Sequence, residues 1–206
     1  MVGPAGPTGA QGPGGGSGPA GATGPAGSNA TLTCAQGGTC AIGDTGPGGG
    51  IVFIVQTPTA AAPWRYMEAA PNTWSAGSSD PARSWSTGAN QSAAVPGADG
   101  TAIGTGYRNS LAIQNQTGNV AATSAAVAAR AYTGGSQTDW FLPSKEELAE
   151  LYSQKATVGG FVAGYYWSSS EDIPGVAYFQ GFLYGSQSSQ EKNYLFYVRP
   201  IRAFGP

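Results

Sequence analysis

Three carboxylates and two cysteines are the residues of this chain whose spacing could do chemistry. Glu146, Glu147 and Glu150 lie close together, and paired carboxylates can run acid–base chemistry or glycoside hydrolysis. Their setting gives them another use. Ser144 is placed as an N-cap, Glu147 follows three residues on as its capping-box partner, and acidic side chains in a first turn suit the helix dipole. The three therefore read as a capped, solvated helix face. The sequence contains no histidine, which removes Ser-His-Asp and Cys-His catalysis, the usual acid–base group near neutral pH and the commonest zinc ligand. No catalytic residue, metal site or cofactor is assigned, and the chain reads as a non-enzyme.

Cys34 and Cys40 enclose the turn dipeptide Gly37-Gly38 and are flanked by β-favouring Thr31, Leu32 and Thr33 on one side and Ala41 and Ile42 on the other. This predicts a small disulfide-closed hairpin, with two free buried thiols as the alternative. The oxidised form implies an extracytoplasmic or virion-surface setting.

The remaining candidates are cations beside aromatic rings. Trp64, Trp74 and Trp85 fall in a long loop-like stretch between Pro58 and Pro96, where large rings either pin loops to a core or offer a binding face. Pinning is the preferred reading. Arg83, Trp85, Tyr184 and Lys192 place an aromatic platform beside a cation in polar loops and form the expected ligand-binding set. Arg199 and Arg202, flanking Pro200, are expected to pair with carboxylates and fix the carboxy-terminal strand.

The elements that must position these residues follow from local pattern. Ile51-Val-Phe-Ile-Val55 is a β-branched apolar run entered through glycines, a buried strand. Residues 106–114 and 119–132 read as helices, the second Ala-rich with Val120, Val127 and Tyr132 on its apolar side. The helix opened by Ser144 buries Leu148, Leu151 and Tyr152. Residues 165–167, 177–184 and 194–198 read as strands. Strands gathered after a block of helices predict an α+β domain.

The amino-terminal part is a different material. Glycine holds every third position from Gly3 to Gly27, the first charged residue is Asp44 and the first aromatic is Phe53. Three polyproline-like strands wind together only where the axial residue has no side chain, so this phase predicts a collagen-like homotrimer over residues 3–29. A flexible linker is the alternative. Pro4, Pro7, Pro13, Pro19 and Pro25 all occupy the X position, as in bacterial or viral collagen-like stretches. Such a short rod needs a trimerising domain to register its strands. Residues 30–48 are expected as a disulfide hairpin and linker, and 49–206 as the globular domain. A net charge of -2 with nine Lys and Arg argues against nucleic acid. No apolar run is long enough to span a bilayer, and Met1-Val2 leads into the repeat without a signal peptide.

Five motifs occur in order: Gly48-Gly-Gly-Ile-Val-Phe53, Ile103-Gly-Thr-Gly-Tyr107, Trp140-Phe-Leu-Pro-Ser-Lys-Glu-Glu-Leu148, Tyr166-Trp-Ser-Ser-Ser-Glu171 and Val198-Arg-Pro-Ile-Arg-Ala-Phe204. Together they resemble the family defined by the carboxy-terminal domain of the Legionella collagen-like protein. The resemblance implies a C-type-lectin-like fold, related in architecture to the formylglycine-generating enzymes. It also implies a trimeric head that binds glycans, including sulfated glycosaminoglycans, through a basic surface. The catalytic cysteines of the enzymatic relatives have no counterpart here, since both cysteines precede the domain, and Lys and Arg are few.

The expected function is a trimeric extracellular adhesin on the cell surface, its collagen-like stalk displaying lectin-like heads for a glycan or polysaccharide. The alternative is a structural component of a phage tail fibre or extracellular filament. There the head serves as a trimerisation and assembly module, and further copies of the chain are its partners.

Overall fold

The computed structural model describes residues 1–10, 14, 32–60 and 62–205. It divides into two units, Met1–Ala30 and Thr31–Pro206. In the first, residues 1–10 and 14 are exposed and carry no helix or strand. Most of the collagen-like repeat lies outside the described residues.

The second unit is mixed α+β, with two sheets and few helices. A three-stranded antiparallel sheet has the order β1 (Ile51–Val55), β2 (Tyr66–Ala69), β8 (Ile201–Phe204). A five-stranded sheet has the order β3 (Ala82–Arg83), β7 (Phe196–Tyr197), β4 (Tyr165–Ile173), β5 (Val176–Gly181), β6 (Gln187–Glu191). Four α-helices accompany them among the described residues: α1 (Gly106–Asn115), α2 (Ala125–Arg130), α3 (Lys145–Ser153) and α4 (Lys155–Val158).

Phe53, Met67, Leu148, Leu151, Tyr166 and Ile201 form one core, between the three-stranded sheet and α3. Trp85, Ile113, Leu142, Trp167 and Val198 form a second, beneath the five-stranded sheet and α1.

Several expectations hold in detail. The strand at 51–55 buries Val52, Phe53 and Ile54. The Ser144–Glu147 capping box is formed in both directions, and α3 buries Leu148 and Leu151. Cys34 and Cys40 are disulfide-bonded.

Others are corrected. The disulfide closes a 3-10 turn, Cys34–Gln36, and among the described residues no strands flank it. It packs on Val52 and Tyr66, so the segment expected as a linker belongs to the compact unit. Residues 119–120 carry no regular structure, 121–123 are a turn, and α2 begins only after Ser124. There the Asn119 side chain donates to the Ile113 carbonyl and accepts from the Thr87 amide, and bonds of this kind compete with helix. The buried side of α2 is Ala125, Ala126, Ala128 and Ala129, while Val120 is exposed. Tyr184 lies beyond the end of β5, and the Ser/Gln stretch 187–191 pairs with β5 instead. Glu147 is fully buried, so the acidic helix start is only partly a solvated face.

Candidate functional site

Arg202 on β8 lies opposite Glu68 on β2 in the antiparallel register. Its Nη1 donates to Glu68 Oε1 at 2.8 Å, its Nε to Asp139 Oδ1 at 2.7 Å and its Nη2 to Asp139 Oδ2 and the Gln137 side chain, each at 3.1 Å. Glu68 is itself buried and accepts the Gly48 and Gly50 amides at 2.9 and 2.8 Å. Those glycines are required by close approach: a Cβ on Gly48 would sit 2.5 Å from the Trp140 ring, and one on Gly50 2.5 Å from the Ala69 carbonyl. The glycine-rich entry to β1 is thus fitted onto a buried carboxylate, and the chain of charges ends at Asp139, whose side chain is 43% exposed.

Asp139 borders a cleft of about 320 Å³. Its walls are the Trp64 ring ahead of β2, Tyr107 in the first turn of α1 and Phe141, with Met67 and Ala203 from the paired strands below. Phe141 meets Tyr107 edge to face at 5.7 Å, and the Arg130 guanidinium lies 4.7 Å from the Tyr107 ring centre. Tyr107 remains 39% exposed. The loop through Gly104 is fastened from behind by Glu147, which accepts from the Gly104 and Ser144 amides, each at 2.7 Å, and more weakly from Gly106. Burial pushes the Glu147 carboxyl up to about 7, against the pull of those backbone donors. The site thus offers two partly open aromatic rings and a positioned acceptor, an arrangement suited to the apolar face and hydroxyls of a sugar ring.

The four residues singled out as a ligand set do not come together as one. Trp85 and Lys192 are completely buried. The Trp85 Nε1 donates to the Ser168 carbonyl at 2.8 Å. The Lys192 ammonium lies 4.5 Å from the Trp85 ring centre and donates to Glu171 and the Ala93 carbonyl. Burial lowers the Lys192 pKa, the Glu171 carboxylate opposing it. Both side chains are thereby spent inside the fold, which corrects their assignment as ligand contacts. Tyr184 is 87% exposed, on the turn after β5. Arg83 borders a separate cleft with Trp74 and Tyr132.

Pinning holds for two of the loop tryptophans. Trp74 Nε1 donates to the Val198 carbonyl at 3.0 Å and to Asp80 at 3.2 Å, and Trp85 is tied as described. Trp64 lines the Asp139 cleft, and Trp74, though tied, lines the Arg83 cleft. Arg199 and Arg202 pair with carboxylates as anticipated, Arg199 forking onto Asp80 through Nε and Nη2, each at 2.7 Å.

Asp139 and Trp64 as a pair escaped sequence reasoning because they are far apart in the chain. The available signal was the Ile103–Tyr107 motif and the sequence just ahead of Trp140, which converge here. Among the described residues no cluster of three or more His, Cys, Asp or Glu could hold a metal ion, and no helix is long and apolar enough to cross a membrane. Compared with known proteins, the chain matches no family model and no curated protein.

Proposed function

We propose that the chain is a subunit of a trimeric extracellular adhesin, in which a collagen-like stalk carries lectin-like heads that bind glycan. The observation that carries this reading is the cleft in which Trp64 and Tyr107 stand beside the Asp139 carboxylate. Glycine in phase at every third position from Gly3 to Gly27 supports the homotrimeric stalk, and the Cys34–Cys40 disulfide supports an oxidising, extracellular setting. The resemblance of five ordered motifs to those of the Legionella collagen-like family supports the C-type-lectin-like fold. Three linked heads convert weak single-site affinity into avidity wherever the glycan reaches more than one of them.

The test is retention of the full chain on a glycan array, followed by calorimetry with the retained sugar. Trp64→Ala and Tyr107→Ala should each weaken binding by about tenfold or more, since each removes a stacking face. A blank array, or binding indifferent to both substitutions, rejects the cleft as the glycan site.

A second observation favours assembly as a further role. Tyr165, Tyr194 and Leu195 are 49%, 47% and 68% exposed and adjoin half-buried Phe179 and Phe196, which stack on Tyr165 at 5.0 and 5.3 Å. Apolar surface of this kind suits contact with a second copy of the chain. Leu195→Glu should then lower the solution mass of the full chain, and an unchanged mass removes this role.

A further inference from the structure

Arg83 stands apart from the other buried or half-buried arginines of the head in having a buried guanidinium N–H with no partner among the described residues. Among the described residues its only side-chain hydrogen bond runs from Nη1 to the carbonyl of its neighbour Ala82 at 3.0 Å. Among the described residues no carboxylate lies within ion-pairing distance, and its Nε is buried without a partner there. An N–H in that state costs free energy unless something supplies an acceptor.

The side chain is nonetheless well placed. Arg83 pairs with Phe196 across β3 and β7, and its carbonyl accepts from Trp167 Nε1 at 3.0 Å. It lines a cleft of about 420 Å³ together with Trp74, Ser75, Tyr132 and Thr133. Both rings are fixed: they meet edge to face at 5.8 Å, Tyr132 packs on Trp140 at 5.0 Å, and Trp74 is tied to Asp80 and Val198. Small residues of and beside α2, including Ala128 and Ala131, keep the opposite wall low.

We propose that this cleft binds a carboxylated sugar residue, a uronic acid within an oligosaccharide, with its carboxylate on the free Arg83 guanidinium. The planar fork of one guanidinium matches the two oxygens of a carboxylate. Trp74 and Tyr132 supply apolar surface for the pyranose ring, and Ser75 and Thr133 supply hydroxyls for its polar edge. A single cation in a net acidic chain suits one carboxylate better than a dense sulfated polyanion. The site is separate from the Trp64–Tyr107 cleft and shares with the proposed function only the premise that the head binds carbohydrate.

The test is calorimetry of the full chain with an oligogalacturonate and with the neutral oligosaccharide obtained by reducing its carboxylates. The wild-type chain should bind the acidic form, with affinity falling as salt rises, and should bind the neutral form about tenfold or more weakly. Arg83→Gln should bring the acidic form down to the neutral level and leave the effect of Trp64→Ala on neutral glycans unchanged. Ala131→Glu places a competing carboxylate at the cleft without touching Arg83, and should give the same loss even if Arg83→Gln disturbs folding. The inference is overturned by wild-type chain that ignores the acidic sugar, by equal binding of both forms, or by full binding in the Ala131→Glu chain. Failure of the neutral-glycan experiment with retention of the acidic one would reject the Trp64–Tyr107 cleft and leave this site standing.

Discussion

The Asp139 cleft and the Arg83 cleft are made of the same materials in opposite electrical states. Each has aromatic walls, and each has an arginine beside its polar group. Behind the first, Arg202 is consumed by Glu68 and Asp139, so what reaches the surface is a carboxylate. At the second, Arg83 has no carboxylate, so what reaches the surface is a cation. The fasteners differ too. Trp74 is held by Asp80, which carries its own arginine, Arg199; the Gly104 loop is held by Glu147, which accepts backbone amides and pairs with no arginine among the described residues. An arginine whose charge is consumed builds the fold, and one left free is available to a ligand.

The largest effect should come from breaking a consumed pair. Asp80→Ala strips the partner from the Arg199 guanidinium and from the Tyr166 hydroxyl, which donates to Asp80 at 2.7 Å. Leaving a buried guanidinium uncompensated costs about 3–5 kcal/mol, to be read from denaturant unfolding of the head transition. Arg83→Ala should move the same transition by no more than about 0.5 kcal/mol. Similar costs for the two would erase the distinction between consumed and free arginines.

Acidity should separate the fasteners next. Because burial raises the folded-state Glu147 pKa from 4.5 to about 7, the folded chain holds a proton there that the unfolded chain has released. The associated stability is fully present below about pH 4.5 and is lost as the pH rises through about 7, a change on the order of 3 kcal/mol at most. Unfolding followed from pH 5 to pH 8 should therefore show the wild type losing stability along a curve that Glu147→Gln flattens. Parallel curves for the two proteins would mean that Glu147 is not the titrating group.

A smaller effect is expected from Asp139→Asn. The side chain is partly solvated, so its bond to Arg202 contributes only about 1 kcal/mol to stability, while loss of the charged acceptor should weaken neutral-sugar binding about fivefold. Oligogalacturonate binding should be indifferent to it. A matching loss for both sugars would join the two clefts into one site.

What the sequence makes legible here is whatever local rules decide. The Ser144–Glu147 cap, the apolar run at 51–55 and the cysteine pair are governed by spacing alone, as is the assignment of Arg199 and Arg202 to structural pairing. The α+β class follows from the order of such patterns. The clefts were not legible, because each is assembled from segments that meet only in three dimensions: Trp64 with Tyr107 and Asp139, Arg83 with Trp74 and Tyr132. Lys192 and Trp85 illustrate the converse. A cation near an aromatic in a polar stretch looks like a binding pair, and only the depth of Ala93 and Glu171 around Lys192 decides that it is internal. Glu147 misled for the same reason, since its burial depends on Gly104 and Gly106, which lie about forty residues earlier.

The smallest effect comes from the backbone, where the clefts again have counterparts. Ala76, next to Ser75 on the Arg83 cleft, and Ser136, in the turn leading to Asp139, are the non-glycine residues with positive φ among the described residues, at 59° and 61°. An L side chain there costs about 1 kcal/mol, and glycine removes that cost while adding unfolded-state entropy. Ala76→Gly and Ser136→Gly should therefore each raise stability by about 0.5 kcal/mol or less. If the strained turn at Ala76 serves to hold Ser75 against the sugar, Ala76→Gly will gain that stability and still bind oligogalacturonate less well, whereas Ser136→Gly will leave acidic-sugar binding untouched. Stability gains without any difference in binding would assign both turns to chain reversal alone and leave Ser75 with no part in recognition.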